Sequence, residues 1–201
     1  MLHVGLTGGL ASGKSFVGRA LEDLGCYLIQ ADELGRRVIE QGGETYEAVV
    51  VTFGKEILDP DGAINRRRLA AIVCPDPQQL AKLNALIHPH VKIREKALAA
   101  DFGRRHPDGI AVTEAAILVE TGSYKDYDRL IVAVCGPEQQ IERAMERNGA
   151  SREEVLNRLR RQMPLDDKVK YADFVIDTSG SKENTLAQTR NVYEALRRLN
   201  P

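Results

Sequence analysis

Gly8-Gly9-Leu10-Ala11-Ser12-Gly13-Lys14-Ser15 fits the pattern G-x-x-x-x-G-K-[ST] without a gap. The run Leu2 to Leu6 before it suits a buried strand. The residues after it suit an amphipathic helix, with Phe16, Ala20 and Leu24 on one face and Val17 and Leu21 beside them. Strand, glycine loop and helix in that order form a cradle for phosphate. Glycines let the backbone curl with its N–H groups pointing inward. The helix start adds unpaired N–H groups and partial positive charge. Lys14 is placed to follow charge on the phosphates, and Ser15 to ligate Mg²⁺. The expected nucleotide contacts are Gly8, Gly9, Ala11, Ser12, Gly13, Lys14, Ser15 and Phe16.

Further along the chain, short apolar runs recur at Cys26–Ile29, Ile110–Thr113, Leu130–Val134 and Phe174–Ile176. Their lengths and β-branched content suit strands of a parallel sheet. Helical patterns lie between them. The last uses Leu186, Tyr193, Leu196 and Leu199 as its apolar positions. The expected fold is α/β, a three-layer α/β/α sandwich of the P-loop NTPase type. Two insertions interrupt it. Residues 33–108 are too long for a simple crossover and contain the breaker Asp59-Pro60-Asp61-Gly62. They read as a mostly helical substrate subdomain. Residues 137–168 carry Arg143, Arg147, Arg152, Arg158, Arg160 and Arg161 among acidic residues, the pattern of a helical lid or of a solvated helix pair. The nucleotide core is then 1–32, 109–136 and 169–201.

Composition narrows the class. The chain has 201 residues, 43% of them hydrophobic, enough for one substantial core. The net charge of −1 argues against a nucleic-acid binder, so anion sites must be local. No apolar run approaches a membrane span, and no charged segment with a cleavage site opens the chain. Cys26, Cys74 and Cys135 are scattered, which reads as buried or semi-buried thiols in a reducing compartment. A cytoplasmic protein, monomeric or weakly self-associating, is expected.

The absence of an Asn-Lys-x-Asp motif argues against a GTPase. Small size, the first insertion and the arginine-rich segment favour a small-metabolite kinase. Asp32 follows the second strand run, where carboxyl ends of strands border a ligand crevice. It reads as a general base for an acceptor hydroxyl, or as the cap of a helix from Glu33 to Glu40. Glu114, at the end of the third run, is the nearest acid for an outer-shell Mg²⁺ contact; its alternative is an exposed strand-end carboxylate.

The chain resembles the dephospho-CoA kinases nearly end to end. The resemblance rests on Val4–Gly9 with the loop, on Ala31-Asp32 with Arg36, and on Phe53-Gly54 to Asp61-Gly62-Ala63-Ile64-Asn65-Arg66. It continues through Leu83-Asn84-Ala85-Leu86-Ile87-His88-Pro89, Ile117–Glu120, Arg143 with Arg147, Gln162-Met163 and Ala172–Asp177. It implies transfer of the ATP γ-phosphate to the ribose 3′-hydroxyl of dephospho-CoA, the last step of coenzyme A synthesis, with Mg²⁺. It implies a helical CoA-binding insertion and a lid. It also implies Asp32 as base, Arg36, Arg66 and His88 toward CoA, and Arg143 and Arg147 toward phosphate. His88 before Pro89 has a second reading, as a turn residue. Other readings of the chain are a nucleoside monophosphate or sugar-acid kinase, and a non-catalytic nucleotide-binding regulator. The sequence departs from the family pattern at Ala11, Gln30, Cys74, Ala116 and Thr178. Ala11, where glycine is usual, is expected to be tolerated with φ below zero. Thr178, where asparagine is usual, weakens any adenine contact from that position.

Overall fold

The computed structural model describes residues 1–199. Residues 200 and 201, the end of the expected 169–201 segment, lie outside the described residues. Five strands form one sheet: β1 Leu2–Gly8, β2 Tyr27–Gln30, β3 Ile110–Glu114, β4 Arg129–Val134 and β5 Phe174–Asp177. Their order is β2-β3-β1-β4-β5, and every neighbouring pair is parallel. The helices are α1 Lys14–Asp23, α2 Ala31–Val38, α3 Tyr46–Phe53, α4 Arg66–Val73, α5 Pro77–Arg105, α6 Pro137–Asn148, α7 Arg152–Leu159, α8 Leu165–Val169 and α9 Lys182–Leu199. All five strands fall where β-branched runs predict them.

Packing divides the chain into two units. One comprises Met1–Gln30 with the chain from Ala99 onward; the other is Ala31–Leu98. The second unit ends short of residue 108 because α5 is a single long helix whose last turns, from Ala99, belong to the first unit. Asp32 falls in the second unit and segment 137–168 in the first.

In the first unit, β1 and β3 are buried on both faces, as parallel strands covered by helices must be. Val4, Leu6, Val112, Ile131, Ala133 and Ile176 pack with Val17 and Leu21 of α1 and Val192 and Leu196 of α9. At roughly 1.5–3 kcal/mol for each large side chain buried, this cluster dominates the unit's stability. The buried face of α9 is Thr185, Thr189, Val192 and Leu196. Leu186 and Leu199, two of its predicted apolar positions, are exposed. The two threonines displaced them because Thr189 bonds back to the Thr185 carbonyl at 2.8 Å and Thr185 to that of Ser181 at 3.2 Å, so neither hydroxyl needs water.

The second unit is helical around Val38, Val49, Phe53, Ile57, Leu69, Val73 and Leu83. The breaker at 59–62 forms a tight turn: Gly62, at φ 84°, donates its N–H to the Asp59 carbonyl at 2.9 Å. Leu58 and Ile64 pair across it. α5 passes through Pro89 without ending, so His88 lies mid-helix and not at a turn. Cys74 is exposed, unlike buried Cys26 and Cys135; it caps the C-terminal end of α4, beyond the Leu69 and Val73 core face.

Candidate active site

The site grows from the end of β1. Gly13, at φ 82°, is the N-cap of α1 and has no side chain with which to cap it. A Cβ there would lie 2.8 Å from Thr178 Oγ1, so both conformation and space require glycine. Phe16 already donates its N–H to the Gly13 carbonyl at 3.0 Å, and no acidic side chain occupies the first turn of α1 to compete for the Lys14 and Ser15 N–H groups ahead of it. Gly8 is equally constrained: a Cβ on it would meet Ser12 Oγ at 2.3 Å and the Ala133 carbonyl at 2.7 Å. The Ser12 hydroxyl is buried without a hydrogen-bond partner, an orphan expected where a polar ligand completes the site.

Ala11 departs from expectation. Its φ is +54°, the only positive value on a non-glycine residue among the described residues. The left-handed region costs such a residue about 1–2 kcal/mol. Here the loop's curvature imposes it, and part of the cost is offset because Leu10 and Ala11 pack on Ile141, Ala144 and Val155 of α6 and α7.

A pocket opens over this loop. It is lined by Gly9, Ala11, Ser12, Gly13, Lys14, Ser15, Phe16, Arg143 and Arg147. Gly8, also expected to contact nucleotide, is not part of this lining; its carbonyl accepts from Lys168 Nζ at 3.3 Å. Arg143, from α6, donates Nη1 to Thr178 Oγ1 at 3.1 Å and Nη2 to the Thr178 carbonyl at 2.8 Å. Thr178 Oγ1 in turn lies 2.9 Å from the Ser12 carbonyl and 3.1 Å from that of Val134, both acceptors for its proton. The threonine at this departure from the family pattern therefore ties arginine, phosphate loop and β4 together. Arg147, four residues on, is exposed at the pocket rim.

Glu114 is buried, so it is not the exposed strand-end carboxylate that its position allowed. Its Oε1 accepts a 2.5 Å hydrogen bond from Ser15 Oγ and lies 3.8 Å from Lys14 Nζ. Gln30 Nε2 donates to Oε2 at 3.4 Å. A serine hydroxyl beside a carboxylate is a hard oxygen donor pair of the kind Mg²⁺ accepts, with nucleotide phosphates and water completing its shell. Among the described residues no three His, Cys, Asp or Glu side chains converge on a metal cage.

Behind the loop lies Lys168, fully buried. Its Nζ bonds the Ala116 carbonyl at 2.7 Å and pairs with Glu120 Oε1 at 2.8 Å, besides its contact with Gly8. Burial pushes its pKa down; the bond to Glu120 opposes that. Gln140 and Gln162 hold the Leu10 backbone, each at 2.8 Å. Sequence reasoning gave no role to Lys168, Gln140 or Thr178. In the sequence Thr178 stands out only as a departure from the family pattern, and Lys168 and Gln140 not at all.

Asp32, Arg36, Arg66 and His88, the residues expected on the acceptor side, all lie in the second unit. β3 separates β2 from β1, which puts β1 and β2 about 10 Å apart. α2 begins directly after Gln30, so Asp32 is its exposed second residue and not its cap. Arg36 pairs with Glu33 at 3.1 Å, and Arg66, at the start of α4, with Glu40 at 3.5 Å; both are exposed. His88 is exposed on α5.

A parallel sheet in this order, with a strand–phosphate loop–helix unit and arginines over the loop, defines a P-loop kinase. The dephospho-CoA kinase family model matches residues 2–184. The dephospho-CoA kinase of Aquifex aeolicus (strain VF5) is 43% identical over 198 residues, covering 98% of this chain and 99% of the relative. The dephospho-CoA kinase of Campylobacter jejuni superposes with a TM-score of 0.70 at 25% identity, over 99% of this chain and 98% of that one. TT1252 from Thermus thermophilus superposes with a TM-score of 0.80 at 31% identity, over 97% of each chain. The chain belongs to the dephospho-CoA kinase family, whose members use ATP as phosphate donor. No helix among the described residues is long and apolar enough to cross a membrane.

Proposed function

We propose that this chain transfers the γ-phosphate of ATP to the ribose 3′-hydroxyl of dephospho-CoA, giving CoA and ADP. The observation that carries the reading is the pocket where Gly9 and residues 11–16 meet Arg143 and Arg147, in a chain of this family. Loop N–H groups and Lys14 hold the phosphates, and the arginines neutralise charge that grows on the transferring group. Ser15 and Glu114 would hold Mg²⁺, which supplies further charge neutralisation when bound. Asp32, two residues beyond the carboxyl end of β2, takes the acceptor's proton. Unit 31–98 is the CoA-binding part, with Arg36, Arg66 and His88 as its contacts. Segment 137–168 is the lid, excluding water that would otherwise accept the phosphate.

The test is ADP formation with a panel of acceptors, followed by locating the new phosphate by phosphorus NMR. Dephospho-CoA should react, with phosphate at the 3′-oxygen. Faster turnover of a nucleoside monophosphate or sugar acid would overturn the assignment.

A further inference from the structure

The two peptide groups that flank Leu10 in the phosphate loop are each held by an amide side chain. The Leu10 N–H donates to Gln162 Oε1 and the Leu10 carbonyl accepts from Gln140 Nε2. The backbone atoms fix both amide orientations, since a peptide N–H can only donate and a peptide carbonyl can only accept. Gln140 is buried, and a Cβ on Gly9 would lie 2.4 Å from its Nε2, so the glycine leaves the space that the amide fills. Gln140 sits on α6, three residues before Arg143, and Gln162 lies between α7 and α8. Leu10 and Ala11 complete the small apolar cluster of Ile141, Ala144 and Val155.

We propose that Gln140 and Gln162 are positioning residues for phosphoryl transfer. They set the curl of the phosphate loop and lock it to the helix that carries Arg143 and Arg147. Ala11, next in the chain, is held at positive φ, a conformation that persists only where its surroundings over-determine it. The two amides and the apolar cluster are those surroundings. Loss of either bond should let the loop relax, turning its N–H groups off the phosphates and shifting the arginines. The inference rests on the reading of this loop as the ATP site.

The polarity of the two bonds gives the test. Gln162→Glu keeps an acceptor for the Leu10 N–H; Gln162→Met removes it. Gln140→Met removes the donor, and Gln140→Glu sets a carboxylate against a carbonyl. Affinity for a non-hydrolysable ATP analogue with Mg²⁺ is measured by calorimetry, and turnover with dephospho-CoA alongside. Both methionine variants should weaken nucleotide binding roughly tenfold, the scale of one buried hydrogen bond. Gln140→Glu should weaken it further, and Gln162→Glu should rescue the Gln162→Met loss. The KM for dephospho-CoA should hold. Folded methionine variants with wild-type nucleotide affinity would overturn the proposal. If a variant fails to fold, amide exchange of Leu10 in the wild-type protein decides: slow exchange is expected, and exchange as fast as an open loop would sink it. Wild-type protein that itself binds no nucleotide would instead refute the ATP-site reading.

Discussion

Ser15 and Glu114, 99 residues apart in the chain, meet through a 2.5 Å hydrogen bond from hydroxyl to buried carboxylate. The contact exists because β1 and β3 are neighbours in register, with Leu6 opposite Glu114. It places an acid beside the residue most suited to ligate a metal. Glu114→Gln keeps an acceptor for Ser15 but removes the charge. The Mg²⁺ concentration for half-maximal ADP formation should rise about 10- to 100-fold, as when an outer-shell partner is lost. Unaltered Mg²⁺ dependence would reduce Glu114 to a structural role.

Ala11 tolerates its left-handed conformation because its side chain is a single methyl. Ala11→Gly relieves about 1–2 kcal/mol of strain. It gives back part of that through unfolded-chain entropy, about 0.4–1 kcal/mol, and the lost methyl contact. Stability in urea should therefore stay within about 1 kcal/mol of wild type. Ala11→Val adds a β-branched side chain where φ is positive, and should cost about 1–3 kcal/mol. Equal midpoints for the two variants would contradict the strain argument.

The Lys168–Glu120 pair braces the loop from behind. Lys168→Met leaves the Glu120 carboxylate with the Met163 N–H but without its counter-charge, and takes the shared donor from the Ala116 and Gly8 carbonyls. Removing one partner of a buried pair costs about 3–5 kcal/mol. Glu120 retains 22% side-chain exposure, which places the expected loss at the lower end of that range. Adding Glu120→Gln to Lys168→Met, which removes the charge but keeps an acceptor for the Met163 N–H, should recover part of it. A Lys168→Met protein as stable as wild type would show that the brace carries no weight.

Asp32→Asn separates the chemical role from the helical one. Asparagine keeps the size of the side chain at the second position of α2 but takes no proton. Turnover at saturating ATP should fall on the order of a hundred- to ten-thousand-fold, with ATP affinity unchanged. Near-normal turnover would shift the proton acceptor elsewhere.

Burial pushes the Cys26 thiol from its ordinary 9.0 up to about 12. The unfolded chain ionises first, so the thiol's contribution to stability is complete below pH 9 and is lost as pH rises from 9 toward 12. Between pH 8 and pH 10 that is a loss of about 1.4 kcal/mol. Urea unfolding of wild type and Cys26→Ala at both pH values measures it. The wild type should lose that much more than the variant; parallel losses would refute it. Exposed Cys74 should react with a thiol reagent long before Cys26 does.

The sequence by itself determined the parts whose physics is local. The phosphate loop is eight consecutive residues whose glycines and helix start act within one turn of chain. The strands are short β-branched runs, and the 59–62 turn is written in proline and glycine. Resemblance along the whole chain then named the family. What only the tertiary structure decided are contacts between residues far apart. Lys168 reaches Gly8 across 160 residues, and Gln162 reaches Leu10 across 152. No local pattern marks these partners, because a lysine or glutamine in a charged helical stretch looks solvated until the sheet order brings a backbone carbonyl or amide against it. The φ of Ala11 was hidden for the same reason: a methyl at positive φ is unfavourable by itself, and only the helices packed on the loop hold it there.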